Sequence, residues 1–131
     1  MKSLNLLLVE DTVISQNVMS LLLEMYGFKI DIAHNGLEAV EKFKEGYYDI
    51  ILMDIIMPVQ NGYEATKTIR ELEKTRGGHV LIIGLTAQTY DSEEEKCIAA
   101  GMDKFLTKPF DIEMFKKTLK SLEFDIFDKE L

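Results

Sequence analysis

The thirty residues Leu4–Ala33, LNLLLVEDTVISQNVMSLLLEMYGFKIDIA, change hydrophobic period twice, and those changes decide the fold. Leu4–Val9 (LNLLLV) is a short apolar run, which reads as a strand buried on both faces. Ile14, Val18, Leu21, Leu22 and Met25 then recur at helical spacing, and Gly27 is placed to end that helix. Phe28–Ala33 (FKIDIA) alternates Phe28, Ile30 and Ile32 with Lys29 and Asp31, the pattern of a half-exposed edge strand.

The same alternation continues outward. Ile50–Met53 (IILM) and Val80–Leu85 (VLIIGL) are two more buried runs, and Lys104–Thr107 (KFLT) is a short fifth strand suited to an edge. Between them, Leu37, Val40 and Phe43 mark a helix before Gly46. Tyr63, Thr66, Ile69, Arg70 and Leu72 mark another before Gly77 and Gly78. A fourth helix opens with Ser92 and Glu95 at capping-box spacing and ends near Gly101. A fifth has Asp111 as N-cap, with Phe110 and Phe115 at the two positions of a hydrophobic staple. Asn35–Gly36 and Asn61–Gly62 read as turns, and Gly62 also lets the chain after Asp54 bend tightly. The expected architecture is α/β: a doubly wound (βα)5 fold whose five-stranded parallel sheet has the flavodoxin-like order 2-1-3-4-5, with right-handed crossovers.

Composition bounds the rest. A chain of 131 residues fits one domain, expected over residues 1–122, with 123–131 a short acidic tail that frays or docks weakly. A net charge of −8 lacks the footprint of a nucleic-acid binder and suits a cationic partner surface. The single cysteine, Cys97, permits no intrachain disulfide and reads as a small buried residue. With no signal peptide and no apolar run near the ~20 residues of a membrane span, a cytoplasmic protein with no direct membrane contact is expected. His34 and His79 lack a second ligand at useful spacing, and Glu93–Glu95 reads as a solvated face.

The polar residues that stand out share one position relative to the strands. Glu10 and Asp11 follow the first, Asp54 the third, Thr86 the fourth and Lys108 the fifth. The carboxyl ends of strands form the ligand crevice of an open parallel sheet. Three carboxylates there repel one another unless a cation sits among them, and oxygen-only ligands suit Mg²⁺. Lys108 and Thr86 would welcome an anion. A divalent cation, an ammonium and a hydroxyl around a nucleophilic carboxylate are the parts that phosphoryl transfer needs.

The motifs LLVED (Leu7–Asp11), MDIIMPVQNG (Met53–Gly62), LTA (Leu85–Ala87) and GMDKFLTKPF (Gly101–Phe110) resemble, in this order and spacing, the receiver domain of two-component response regulators (the CheY-like fold). The texture is most like receivers of hybrid sensor histidine kinases. The resemblance implies that Asp54 accepts a phosphoryl group from a phosphohistidine on a histidine kinase or histidine phosphotransfer domain. It implies that Asp11, Asp54 and the backbone carbonyl of Ile56 ligate Mg²⁺, with Glu10 acting through a metal-bound water. Lys108 then binds a phosphoryl oxygen, Thr86 closes onto another, and Phe105 is the switch aromatic whose burial follows Thr86. The surface of the fourth helix, fifth strand and fifth helix would carry the signal to a partner, which could be the parent hybrid kinase or an output domain. The Lys108–Pro109 bond is expected to be cis. Ile56 stands where many receivers carry a polar side chain, so slow self-dephosphorylation is expected, with Gln88 able to offset it.

Two other readings use the same residues. An aspartate-nucleophile phosphatase of the haloacid dehalogenase type would need a second Asp two residues after Asp54, where Ile56 stands. A receiver-like interaction module that takes no phosphate would ordinarily have lost the acid pair, the acceptor or the lysine, and all are present.

Overall fold

The computed structural model describes residues 4–55, 61–87 and 91–122. Five strands, β1 (Leu4–Val9), β2 (Phe28–Ala33), β3 (Ile50–Asp54), β4 (Leu81–Thr86) and β5 (Lys104–Thr107), alternate with five helices: α1 (Val13–Met25), α2 (Gly36–Glu45), α3 (Gly62–Arg76), α4 (Asp91–Ala100) and α5 (Ile112–Ser121). The strands form one parallel sheet in the order β2-β1-β3-β4-β5. The doubly wound order expected from the sequence is therefore the order observed.

Side-chain alternation along the strands divides the core in two. Leu7, Val9, Ile51, Met53 and Ile82 point to one face, where Val40, Phe43, Ala65, Ile69 and Cys97 of α2, α3 and α4 cover them. Leu6, Leu8, Leu52, Ile83 and Leu85 point to the other, under Met19, Leu23, Phe115 and Leu119 of α1 and α5. This two-sided cover is why the central strands read as unbroken apolar runs. β2 and β5 lie at the edges, and only there does exposure alternate.

The helix starts sharpen the sequence reading. Asn35 and Asn61, expected in turns, are N-caps: their side-chain oxygens accept from Glu38 N at 2.8 Å and Glu64 N at 3.0 Å. Each such cap contributes about 1 kcal/mol. Asp111 caps α5 as expected, and the Phe110 and Phe115 rings meet at 5.7 Å. Helix α4 begins at Asp91, so Ser92 lies inside its first turn, not at its cap. Gly27 ends α1 with φ 91°, a left-handed conformation that favours glycine.

The orientation of α1 departs most from expectation. Its buried positions are Gln16, Met19 and Leu23. Ile14 (79% exposed), Val18 (54%), Leu21 (65%) and Met25 (72%) instead face outward. Helix α1 is apolar on more than one side and has one charged residue, Glu24, so periodicity defined a helix but not which stripe meets the sheet. The polar Gln16 is the residue turned inward, because it has a partner there. The acidic tail, residues 123–131, lies outside the described residues.

Candidate functional site

The strand ends assemble the site. Asp54 is the last residue of β3 and Thr86 the last of β4, one position further along than the sequence pattern placed the strand ends. Register sets Asp54 beside Leu85, so Thr86 stands one step beyond it on the neighbouring strand. β1 ends at Val9, and Glu10 N donates to Ala33 O at 3.1 Å, holding the chain in line before it turns into Asp11. On the other side, Lys108 N donates to Thr86 O at 2.7 Å, which ties the residue after β5 to the end of β4. Lys108–Pro109 is cis.

Carboxylate oxygens of Glu10, Asp11 and Asp54 lie within 4.8 Å of one another. Glu10 and Asp54 are 3% and 1% exposed, while Asp11 faces solvent. Lys108 Nζ donates to Asp54 Oδ2 at 3.0 Å. One ammonium among three carboxylates leaves an excess of negative charge in a partly dry place. Burial raises the Glu10 carboxyl above its ordinary range, and the Asp54 charge adds to this. The Thr12 hydrogen bonds and the Lys108 charge oppose the rise without cancelling it. Hard oxygen donors, excess negative charge and an exposed third carboxylate form a donor set that fits a hydrated divalent cation such as Mg²⁺.

Gly62 matters to the same place. A Cβ there would sit 2.4 Å from Asp54 O and 2.9 Å from Ile55 Cα, and Gly62 N donates to Ile55 O at 2.9 Å. Only a glycine lets α3 start against the backbone that carries Asp54. Thr86 is buried. Phe105 is half-buried and packs against the core beneath α2, α3 and α4. Ile56 and Gln88 lie outside the described residues.

Sequence reading missed two residues here. Thr12 Oγ1 and Thr12 N donate to Glu10 Oε1 at 3.1 and 3.3 Å, and Gln16 Nε2 donates to Glu10 O at 2.7 Å. The available signal was a polar Gln16 between apolar positions of a helix that directly follows the acid pair. Beside them a groove of about 240 Å³ runs from Glu10 and Lys108 between Ile14 and Val18 of α1 and Pro109 and Phe110 of the β5–α5 loop. Among the described residues, no helix is long and apolar enough to cross a membrane.

Comparison with known proteins agrees with this geometry. The profile of the response regulator receiver domain matches residues 6–120. Hybrid signal transduction histidine kinase B of Dictyostelium discoideum is 44% identical over 128 residues, covering 87% of this chain and 6% of that protein. Probable histidine kinase 1 of Oryza sativa subsp. indica is 35% identical over 144 residues, covering 88% of this chain and 15% of that protein. The chain thus spans a small part of these much longer relatives. Among solved structures, one is the Saccharomyces cerevisiae histidine phosphotransfer signaling protein Ypd1 with the receiver domain of its downstream response regulator Ssk1. It aligns with TM-score 0.85 and 35% identity over 90% of this chain and 87% of that one. The receiver domain of a Pseudomonas aeruginosa PAO1 sensor histidine kinase, with a magnesium ion coordinated in the active site cleft, aligns with TM-score 0.81 and 37% identity. That match covers 92% of this chain and 97% of that one.

Proposed function

We propose a specific role for this chain, which belongs to the response regulator receiver domain family: Asp54 is the phosphoacceptor of a two-component phosphorelay. The observation that carries it is the convergence of Glu10, Asp11 and Asp54, with Lys108 Nζ on Asp54 Oδ2. In the step proposed, an Asp54 carboxylate oxygen attacks phosphorus, the N–P bond of a phosphohistidine breaks, and the imidazole leaves with the bond's electron pair. Asp11 and Asp54 would hold Mg²⁺ with the carbonyl of Ile56, and Glu10 would hold a water on it; Mg²⁺ would supply charge neutralisation for the phosphoryl oxygens. Lys108 exchanges its bond to Asp54 for one to a phosphoryl oxygen. Thr86 donates to another, and Phe105 follows Thr86 inward, which changes the α4–β5–α5 face that a partner reads. With Ile56 unable to orient an attacking water, the acyl phosphate is held for long, and the chain is a signalling phosphoacceptor rather than a turnover enzyme.

The donor follows from surface chemistry. Ile14, Val18, Leu21 and Met25 are spaced four, three and four residues apart on an exposed face with no charge among them, the seam that suits packing against one partner helix. The groove at the end of that seam opens onto Glu10 and Lys108. A helical histidine phosphotransfer domain or kinase dimerisation helix, carrying its histidine toward Asp54, fits both features. The domain is taken as residues 1–122 and its setting as cytoplasmic, inside a hybrid kinase or beside one.

Incubation with a small phosphodonor and Mg²⁺, followed by intact mass, tests the central role. One phosphate-sized increment that requires Mg²⁺ and is absent from Asp54→Asn is expected. No increment in the wild-type protein would refute the proposal.

A further inference from the structure

Thr12 occupies the N-cap position of α1, with extended backbone at φ −102° and ψ 137°, yet its side chain makes no cap hydrogen bond. Helix α1 also has no acidic residue in its first turn. In α2, α3 and α5 the residue at the same position accepts from the helix's own N–H groups. The hydroxyl of Thr12 is turned the other way, to Glu10 Oε1 at 3.1 Å, with its backbone N–H on the same oxygen at 3.3 Å. One turn on, Gln16 is 5% exposed and donates to the Glu10 backbone carbonyl at 2.7 Å. A buried glutamine in place of an apolar residue is another departure from ordinary helix packing, and it ends on the same residue. Departures from a local rule that converge on one side chain point to a site held in place by its surroundings.

We infer that Thr12 and Gln16 are positioning residues that clamp Glu10, side chain and backbone, so that the acid pair meets Asp54 in the arrangement a divalent cation requires. Both Thr12 donors fall on Oε1, and among the described residues no hydrogen bond falls on Oε2, which is the oxygen left for a cation or its water. Gln16 fixes the carbonyl that immediately precedes Asp11, so it sets where the Asp11 carboxylate starts from. The inference rests on the cation-dependent reading of the site given above and adds what holds the acids still.

The test is Mg²⁺ affinity, measured by calorimetry on protein stripped with chelator, for wild type, Thr12→Val, Thr12→Ser and Gln16→Met. Thr12→Val and Gln16→Met should each weaken Mg²⁺ binding about tenfold. Thr12→Ser, which keeps the hydroxyl, should bind like wild type. Unchanged Mg²⁺ affinity in Thr12→Val and Gln16→Met would overturn the clamp, as would weakened binding that Thr12→Ser shares. Wild-type protein that binds no Mg²⁺ would instead bring down the cation-dependent reading, and the clamp with it.

Discussion

The two rims of the sheet both gather carboxylates around a cation, and they do so to opposite ends. At the amino ends of β4 and β5, Arg70 donates to Glu73 Oε1, Val80 O and Gly101 O at 2.8 Å, and to Asp103 Oδ2 at 2.9 Å. Glu73 Oε2 accepts from Val80 N at 2.6 Å and Asp103 Oδ2 from Ile82 N at 2.8 Å. His79 Nε2 lies 2.8 Å from Asp103 Oδ1. Here a guanidinium and backbone N–H groups answer both carboxylates. At the carboxyl ends, three carboxylates meet one ammonium, and Asp11 is left facing solvent. The first network ties α3 to the α4–β5 turn, whereas the second gathers more negative charge than its ammonium offsets. The two rims differ in how much of their negative charge a neighbouring cation offsets, not only in how many acids they gather.

The largest effect expected from this contrast is at Arg70. Its side chain is 15% exposed, and Arg70→Ala would leave Glu73, 7% exposed, without its cation. The loss should be about 3 kcal/mol by urea denaturation. A loss below about 1 kcal/mol would mean that the lower rim is as loosely held as a surface pair. His79→Ala removes an exposed member of the same network and should stay within about 0.5 kcal/mol. Equal losses at both positions would erase the distinction between core and fringe of that rim.

The upper rim should respond to pH with a predictable sign. Burial and Asp54 raise Glu10 above its value in the unfolded chain, so the folded state holds that proton more tightly. Between the ordinary carboxylate range and the raised value, the folded state therefore binds more protons than the unfolded one. Without divalent cation, stability should fall as pH rises through that window and level off above it. Glu10→Gln should flatten the fall, as read by denaturation in chelator across the window. A profile unchanged by Glu10→Gln would show that the upper rim is not strained by its own charge.

How legible each part was in the sequence follows from the kind of signal it leaves. β1, β2 and β5 matched their apolar runs residue for residue, because burial on two faces or one is written directly into composition. β3 and β4 each end one residue further, on Asp54 and Thr86, because polar residues break an apolar pattern that the backbone continues, and β4 starts at Leu81 where Val80 was expected. The meeting of the acid cluster with Lys108, and the place of Thr86 at the end of β4, were legible because strand ends share one rim. The outward stripe of α1 was not, because a helix apolar on several sides does not announce which side is covered. Thr12 was hidden for a related reason: at a helix start a threonine reads as a cap, and only the folded chain brings its hydroxyl to Glu10. Nor was Arg70 legible beyond its helical spacing, since its partners come from 3 to 33 positions away.

The central claim is that one carboxylate among three takes the phosphoryl group. The most direct test is to phosphorylate the protein with a small donor and Mg²⁺, reduce the acyl phosphate with borohydride, and map the reduced residue by peptide sequencing. Asp54 should be converted to homoserine, with Glu10 and Asp11 untouched. Reduction at Glu10 or Asp11, or none in protein that has gained phosphate, would contradict the account.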